Sequence, residues 1–441
     1  MEMLLVNTPI FSAKRDPKSE DSVPPIGMGY IYTQVTRSGI ACRFVDAVVD
    51  RLLPEEIVEI INKADAECVG LNVFSSNLGI VRQIVESVEC PKRFLLGGPA
   101  VRSLIPEIEN WSAKGSVTVV AGESELILPE IIRHRTPADL DSRTKKVVTV
   151  TPESRFFPSN IDLPLDRSIF QNEPIRRQDL GLIESHIIAS RGCLYNCAFC
   201  TAAISLNPGI GARYRTFESL AEEIESIRRL HPETDCIRVL DDLFLRDRAS
   251  IELAIKLFRQ YNLRWRSMAH INTFRDLPAS WLDGIRHAGC RELFIGIESG
   301  NDETLRHIRK PFSAAVAYKT VSRILDAQIP VKCYFVLGFP DESESAMKDT
   351  LNLASRLQDY ARRVGAQLRI SPFRFRPYHG TALYEELVKK GRAIAPIVNR
   401  MDISDNGEFN PYDCVSGVYA DCDEKTLNKN MKELKKLSAS G

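Results

Sequence analysis

Short apolar runs alternate with amphipathic stretches along most of this chain, and this alternation limits the folds available to it. In the first third, the runs have the length of buried strands, and the stretches between them carry apolar residues at helical spacing. The predicted strands are Met3–Thr8, Arg43–Val48, Cys68–Phe74, Arg93–Leu96 and Val117–Val120. The predicted helices are Gly27–Ser38, Pro54–Lys63, Leu78–Val88 and Ser124–Arg133. Apolar strands separated by helices indicate a parallel sheet covered on both faces.

A second alternation follows a polar stretch interrupted by prolines. Its predicted strands are His186–Ser190, Cys236–Asp241, Arg264–His270, Glu292–Ile297, Lys332–Leu337 and Gln367–Ser371. Its predicted helices are Phe217–Leu230, Ala249–Tyr261, Ser280–Ala288, Ala314–Ala327 and Ser345–Val364. Six strands alternating with helices predict a partial (β/α)6 barrel of the TIM type, with its chemistry at the carboxyl ends of the strands.

These patterns predict an α/β protein in four segments. Residues 1–135 form a Rossmann-like, flavodoxin-like parallel-sheet domain, and residues 136–183 form a proline-rich linker. Residues 184–385 form the partial barrel, and residues 386–441 form a mostly helical extension. In the extension, Lys425–Leu437 is predicted to be an amphipathic helix with a solvated basic face.

Charge and cysteine usage narrow the class of protein. The 58 basic residues balance 58 acidic ones, which disfavours a protein held to nucleic acid by phosphate neutralisation. There is no run of about 18 uncharged apolar residues to span a membrane, and the N-terminus lacks the features of a secretion signal. Eleven cysteines in such a chain do not predict a disulfide framework. A metal centre in the reducing cytoplasm is the resulting expectation.

Three of the cysteines, Cys193, Cys197 and Cys200, lie within eight residues, directly after the first predicted barrel strand. A loop this short can bring three thiolates to a common point. Structural zinc would need a fourth ligand, such as His186 or Cys236. An iron–sulfur cluster usually takes four cysteines, so three would leave one iron open, and an open metal position is typical of catalysis.

The C-x3-C-x2-C spacing, with the aromatic Phe199 before the last cysteine, resembles the signature of the radical S-adenosylmethionine (SAM) superfamily. The resemblance covers about residues 184–385. It implies a [4Fe-4S] cluster held by Cys193, Cys197 and Cys200, whose unligated iron binds the amino and carboxylate groups of SAM. It also implies that a reductant such as flavodoxin or ferredoxin drives SAM cleavage to a 5′-deoxyadenosyl radical, which abstracts a substrate hydrogen.

Three further strand ends fit this resemblance. Two adjacent carboxylates at a strand tip are costly unless they meet cations, hydroxyls or water. The residues that the resemblance places against SAM are Asp241 and Asp242 near its methionine part, Gly296, Glu298 and Ser299 near the ribose and carboxylate, and Gly338 and Pro340 beside the adenine.

The front domain resembles that of the cobalamin-binding class of radical SAM enzymes, through Gly27 to Tyr30, Gly97-Gly98 and Gly122. The glycines Gly97, Gly98 and Gly122 are predicted to approach the cofactor or, alternatively, to serve as turns. No histidine precedes His134, so the strand-end loops of this sheet supply no histidine ligand to cobalt. Cobalamin would then bind with its lower face empty or shielded by Leu71–Asn77, or the domain would bind no corrin.

Four residues are candidate substrate contacts. Period-two alternation puts Arg374 and Arg376 on one face, where they would hold a carboxylate or phosphate in the barrel mouth or form an outer salt bridge. His270 and Asn272, at the end of the third strand, are candidate polar contacts, with a structural role as the alternative.

The predicted function is a cytoplasmic radical SAM enzyme that methylates carbon in a small molecule or peptide with the help of cobalamin. The alternative within enzymes is a cobalamin-independent dehydratase, epimerase or cyclase that acts on a sugar-like substrate. The neutral charge and the lack of an appended RNA-binding domain disfavour RNA modification, and a zinc-bound interaction protein is the non-enzymatic alternative. In the tail, Tyr412, Cys414 and Cys422 could deliver a hydrogen atom or be inert.

Overall fold

The computed structural model describes residues 3–12, 23–133, 145–207, 209–403 and 413–439. The chain divides into two compact units, and it passes between them several times. The front unit comprises Met1–Ile175, Tyr378–Gly380 and Ala395–Val415, and the barrel unit comprises Arg176–Pro377, Thr381–Ile394 and Ser416–Gly441. None of the helices in the described ranges is long and apolar enough to cross a membrane.

The front unit contains a six-stranded parallel sheet. Its strands are β1 (Met3–Asn7), β2 (Cys42–Asp46), β3 (Cys68–Asn72), β4 (Arg93–Gly97), β5 (Ser116–Ala121) and β6 (Lys145–Thr149). The order is β2-β1-β3-β4-β5-β6, and each neighbouring pair is parallel. This is the flavodoxin-like order, whose direction reverses between β1 and β3, where such sheets bind ligands.

Helices cover both faces of this sheet. They are α1 (Ile26–Arg37), α2 (Pro54–Lys63), α3 (Leu78–Ser87), α4 (Val101–Ile108) and α5 (Leu128–Arg133). Ile57, Val81 and Leu104 of α2, α3 and α4 pack on one face, while Val35 and Leu128 of α1 and α5 pack on the other. The sheet is therefore buried on both sides, which explains why its strands are continuous apolar runs.

Two elements of the front unit differ from the sequence prediction. The sequence pattern does not predict α4, which has Pro106 inside it and begins three residues after the turn at Gly98. Residues 136–183 are predicted to be a linker, but Lys145–Thr149 forms β6 and pairs with β5. Because β6 is an edge strand with Val147 partly exposed, it lacks the apolar run by which a central strand is found.

The barrel unit is built on a second, curved sheet with the order β15-β14-β13-β12-β11-β8-β7. The strands from β8 to β15 in this sheet are parallel to their neighbours. The strands of this unit are β7 (Ile175–Arg177), β8 (Leu182–Ile187), the short pair β9 (Ser190–Arg191) and β10 (Arg213–Tyr214), β11 (Cys236–Val239), β12 (Arg264–Ala269), β13 (Cys290–Glu298), β14 (Val331–Leu337) and β15 (Leu368–Arg374). This architecture confirms the predicted α/β class with a partial barrel.

Most helices of this unit pack on the outer face of this sheet, whereas two of them, Asp302–His307 and Ala382–Lys389, pack instead in a cluster with Ala198 and Phe339. These helices are α6 (Phe217–Leu230), α7 (Arg248–Tyr261), α8 (Ile271–Phe274), α9 (Ala279–His287), α10 (Asp302–His307), α11 (Ala314–Asp326), α12 (Glu344–Val364) and α13 (Ala382–Lys389). Four of these helices begin where Asp247, Ser313, Ser343 and Thr381 accept a hydrogen bond from a first-turn N–H, a standard N-cap.

The C-terminal extension is shared between the two units. In the front unit, β16 (Val398–Asn399) pairs with β17 (Cys414–Val415), and α14 (Arg400–Ile403) follows β16. In the barrel unit, α15 (Glu424–Ala439) buries Leu427 and Leu434 in the same core as β15 and α12. Lys429 and Lys432 of α15 are exposed, so the basic face of this helix is solvated as predicted.

Candidate active site

The three-cysteine loop follows β8 and β9 in the barrel unit, and neighbouring elements hold it in place. The N–H of Ala198 donates to the carbonyl of Ile308 (3.0 Å), and the carbonyl of Ala198 accepts from the N–H of Leu383 (2.9 Å). At the start of the loop, Asp241 accepts from the N–H of Ala189 (2.8 Å) and the hydroxyl of Ser190 (2.5 Å). Asp241 therefore ties the first strand end to the second, and its burial raises its pKa to about 7.

The thiols of Cys193, Cys197 and Cys200 are partly buried and are close enough to interact electrostatically. Burial raises the pKa of all three thiols, that of Cys200 to about 12, so their thiolates form only if positive charge compensates them. A cluster of iron ions supplies such charge, and Cys ligands must be deprotonated to bind it. The donor set therefore fits a [4Fe-4S] cluster.

The same thiols do not fit a single metal ion. Among the described residues, no three His, Cys, Asp or Glu side chains converge as the ligands of one ion. The predicted fourth zinc ligands, His186 and Cys236, likewise form no single-ion site with these thiols among the described residues. The placement of the three thiolates around one inorganic centre stays a prediction. A [4Fe-4S] cluster needs no common point, because each thiolate binds a different iron.

A buried lysine that the sequence reasoning missed lies beside this loop. The ammonium of Lys310 is 3.0 Å from Oε1 of Glu298 and donates to the carbonyl of Gly296 (3.0 Å). It also lies 5.8 Å from the ring centroid of Phe199. Burial opposes its charge, but Glu298 and the thiol of Cys197 outweigh this and raise the pKa of Lys310. The predicted residues Gly296, Glu298 and Phe199 are thus gathered around one cation.

The other predicted SAM contacts lie in different surroundings. Asp242 is exposed beside the cysteine loop, so its contact with the cofactor stays a prediction. Ser299 is fully buried, with its hydroxyl 3.1 Å from that of Thr350 in α12, and its contact with the cofactor also stays a prediction. Gly338 and Pro340 are buried, and the N–H of Gly338 donates to Glu342 (2.7 Å).

Glu342 gives the barrel unit a pH-dependent stability. Its Oε2 accepts from the N–H groups of Gly338 and Phe339, its Oε1 is buried without a hydrogen bond among the described residues, and burial raises its pKa to about 7. Unfolded, the carboxyl would lose its proton near its ordinary pKa of about 4.3. The unfolded chain therefore binds fewer protons between these values, and the free energy of unfolding falls as pH rises through them.

We expect Glu342→Gln to remove this loss, because glutamine keeps an acceptor oxygen and never ionises. Relative to wild type, the variant should gain up to about 3 kcal/mol of stability between pH 5 and pH 8. Anaerobic urea unfolding at the two pH values measures the difference, with the exposed Glu385→Gln as the matched control. Parallel curves for wild type and Glu342→Gln would contradict the expectation.

His270 and Asn272 hold the cysteine loop. The ring of His270 stacks on Tyr195 at 3.7 Å between centroids, and its Nδ1 accepts from the N–H of Asn272 (3.2 Å). Burial and the nearby charge of Lys310 lower the pKa of His270 to about 3, so the ring is neutral. The side chain of Asn272 donates to the carbonyl of Pro311 (3.3 Å). These contacts favour the structural alternative for both residues.

The two candidate arginines do not share a face. Arg374 is buried on the helix-covered face of β15, where its guanidinium pairs with Glu424 of α15 at 3.2 Å. Its predicted place in the barrel mouth is therefore wrong, and the outer salt bridge is what forms. Arg376 lies beyond the end of β15, with its guanidinium 5.9 Å from the ring centroid of Phe373. Its contact with substrate stays a prediction.

At the carboxyl edge of the front sheet, β1, β2 and β3 end in a buried polar network. The side chain of Asn7 donates to Asp46 (2.8 Å) and accepts from Asn72 (2.8 Å). Thr8 bonds to Asn72, and Asn77 donates to the Thr8 hydroxyl (2.9 Å). The network fixes the loops at the point where the strand order reverses, which is where the fold places a ligand.

The predicted glycines lie at the carboxyl ends of β4 and β5, on the same edge of the sheet as this network. Gly98 and Gly122 are exposed and have φ of 127° and 110°. A Cβ at either would lie 2.5 Å from a backbone oxygen, so close packing requires glycine at both positions. At Gly97 the nearest atom would be 3.9 Å away, which leaves room above the backbone. An edge without side chains fits the approach of a large flat cofactor.

A histidine from the distant part of the chain reaches this edge. His379 belongs to the front unit, and both its N–H (3.2 Å) and its Nδ1 (3.0 Å) bond to the hydroxyl of Ser75, in the loop after β3. Burial lowers the pKa of His379, so its imidazole is neutral near pH 7. The sequence excludes a histidine ligand to cobalt only from the sheet's own strand-end loops, and His379 does not belong to them. Tertiary structure brings in a residue that spacing along the sequence does not reveal.

The tail cysteines are separated between the units. Cys414 is buried in the front unit, where its sulfur accepts from Asn399 (3.7 Å). Cys422 is half-buried in the barrel unit, and burial raises the pKa of its thiol. Tyr412 lies outside the described residues. Hydrogen-atom delivery by these residues stays a prediction.

Fold and site together define an α/β enzyme that presents a cluster-binding loop at the carboxyl end of a partial barrel. Residues 187–354 match the model of the radical SAM superfamily, and residues 18–132 match that of the B12 binding domain. The chain is a radical SAM enzyme that carries a B12-binding domain. Its cofactors are the [4Fe-4S] cluster and SAM of that superfamily and the cobalamin of that domain.

Known proteins resemble the chain over most of its length. A protein of Pyrococcus horikoshii named as an uncharacterised methyltransferase is 26% identical over 405 residues, which are 87% of this chain and 83% of that protein. The bacteriochlorophyllide d C-12(1)-methyltransferase of Chlorobaculum tepidum is 27% identical over 236 residues, or 53% and 49% of the two chains. The solved structure of the radical SAM methyltransferase TsrM from Kitasatospora setae, with cobalamin and a [4Fe-4S] cluster bound, matches 99% of this chain and 91% of its own at 15% identity and a TM-score of 0.69. At that identity the structural match supports the fold.

Proposed function

We propose that this enzyme transfers a methyl group from SAM, by way of cobalamin, to a carbon atom of a small molecule or peptide. The observation that carries the proposal is the presence of both cofactor domains in one chain that aligns over 87% of its length with a protein named as a methyltransferase. A cobalamin-independent radical rearrangement gives no reason for the glycine-lined edge of a B12-binding domain.

When bound, the cluster and SAM supply a 5′-deoxyadenosyl radical that abstracts a substrate hydrogen, and cobalamin supplies the methyl group. The protein's own residues supply binding and position. Cys193, Cys197 and Cys200 would hold the cluster, and Lys310 with Glu298 would place paired charges beside it. Asp241 holds the strand end before the cysteine loop and His270 stacks on Tyr195 within it. His379 and Ser75 lie at the edge that would receive the corrin.

The electron is proposed to come from a flavodoxin- or ferredoxin-type reductant. The proposed substrate is a small molecule or peptide, since the neutral chain offers no net charge for nucleic acid.

The products formed from SAM test the proposed reaction. Reconstituted protein should bind about one equivalent of hydroxocobalamin, and with a strong reductant and SAM it should release the products of two reactions. Methyl transfer leaves S-adenosylhomocysteine, whereas radical cleavage leaves 5′-deoxyadenosine and methionine. Chromatography of the quenched mixture separates them, and cobalamin-free protein is the control. Formation of 5′-deoxyadenosine without cobalamin binding or S-adenosylhomocysteine would sink methyl transfer and favour a radical dehydratase, epimerase or cyclase.

A further inference from the structure

We propose that the lumen of the barrel unit binds an anionic oxygen group of the substrate, a carboxylate or a phosphate, with Lys332 as its counter-ion. The lumen is the inner face of the curved sheet from β8 to β15. Because the inference names the substrate class of the proposed methyl transfer, it rests on that function.

Burial along β14 shows which side chains enter the lumen. Val331, Cys333 and Phe335 are fully buried in the core shared with the outer helices. Lys332 and Tyr334 alternate with them and are only half-buried. Because successive side chains of a strand point to opposite faces, Lys332 and Tyr334 face the inside of the sheet.

The floor of the lumen is a set of charges that neutralise one another. Arg266 of β12 lies 2.6 Å from Glu184 of β8 and 2.5 Å from Glu292 of β13. Arg369 of β15 lies 2.6 Å from Glu292 and 2.9 Å from Asp179. Each of these carboxylates therefore already has an arginine partner.

Lys332 lies above this floor without a counter-ion. Its ammonium has no hydrogen bond or ion pair in the described part of the chain, and it is 5.5 Å from the ring centroid of Tyr334. Burial and then the charge of Arg369 lower its pKa to about 8, with Arg238 and Arg266 acting in the same direction and Glu292 against them. A half-buried lysine with arginine charges around it and no carboxylate among the described residues paired to it favours the binding of an anion.

Aromatic rings line the lumen next to Lys332. The ring of Phe294 has the guanidinium groups of Arg238 and Arg266 at 5.4 Å and 4.9 Å from its centroid. Tyr334 lies 6.2 Å from Phe294, centroid to centroid. Phe294 is itself buried, so the half-buried ring of Tyr334 is the surface on which a flat apolar group beside an anion would pack. The substrate class is thus a flat, mostly apolar molecule that carries a carboxylate or phosphate.

Fluorine NMR tests this inference with probes of known charge. The holoenzyme without SAM is titrated with 4-fluorobenzoate, with 4-fluorophenyl phosphate and with the neutral 4-fluorobenzamide, and line broadening gives each affinity. One or both anions should bind at least ten times more tightly than the amide, and the tighter anion distinguishes carboxylate from phosphate. Affinity should fall at least tenfold in Lys332→Met, persist in Lys332→Arg and be unchanged in the exposed-surface control Lys319→Met.

The pH profile gives a second readout that does not depend on Lys332→Met folding. Anion binding by wild type should weaken as pH rises through about 8, the pKa of Lys332, and binding by Lys332→Arg should not. Equal binding of the amide, or an unchanged affinity in Lys332→Met, would overturn the inference. Products formed from SAM are measured on the same preparations without probe, so a failure of anion binding and a failure of methyl transfer are seen separately.

Discussion

Replacing Cys197 with alanine should reduce formation of 5′-deoxyadenosine from SAM to the level seen without enzyme. The central thiol of the loop is one of the three predicted cluster ligands. Burial raises the pKa of its partly buried neighbours Cys193 and Cys200, so their thiolates need the charge of a cluster. Losing one ligand therefore removes the compensation for the other two. Anaerobic reconstitution followed by iron analysis and chromatography of SAM products measures both effects.

A cysteine outside the loop provides the matched control. Cys90 is half-buried in the front unit, where its sulfur lies 3.4 Å from the side-chain oxygen of Asn62. Cys90→Ser should keep wild-type iron content and SAM cleavage. Undiminished cleavage by Cys197→Ala would contradict the cluster assignment, and stoichiometric zinc without iron in the wild-type protein would contradict it independently.

The sequence predicted most of the barrel because its strands and helices differ in period. The helix Phe217–Leu230 is found with the bounds that the pattern predicts, and β14 begins one residue earlier than predicted. Elements with a weak hydrophobic pattern were missed: the helix α4, which contains a proline, and the edge strand β6. The cysteine spacing could predict a cluster site because a short loop keeps its three candidate ligands close together in sequence as well as in space.

The surroundings of the site were not predictable in the same way. Lys310 reaches Glu298 across a bulge, where Glu298 has φ of 71° and the register of β13 on β14 shifts. His379 reaches the front sheet from a segment more than 300 residues away from Ser75. Both contacts depend on tertiary structure. The misplaced Arg374 had a sequence signal, since it shares strand parity with Leu368 and Ile370, which are apolar because helices cover that face.

Arg266→Met should destabilise the barrel unit by about 3–5 kcal/mol, the cost of leaving buried charge uncompensated. The guanidinium of Arg266 and the carboxylates of Glu184 and Glu292 are each at most 3% exposed. Burial acts to raise the pKa of Glu292, but Arg266 and Arg369 reverse this and hold it below the ordinary range. Methionine fills a similar volume without charge, so the two carboxylates lose a shared partner rather than a packing contact.

Two comparisons separate this effect from a general loss of packing. Arg286→Met removes an arginine whose guanidinium and its partner Asp283 are 43% and 57% exposed, and exposed pairs contribute less than about 1 kcal/mol. Because the depressed pKa of Glu292 gives stability that is present at neutral pH and lost as pH falls through it, the penalty of Arg266→Met should shrink in acid. Denaturant unfolding at pH 7 and at about pH 3, well below the ordinary glutamate pKa of about 4.3, measures both. A penalty equal at these two pH values would show that Arg266 acts by packing alone. Such a result would also mean that the carboxylates at the floor of the lumen do not need the charge of Arg266. Lys332 would then no longer differ from the paired charges of the floor, and this difference is the reason for proposing it as a ligand site.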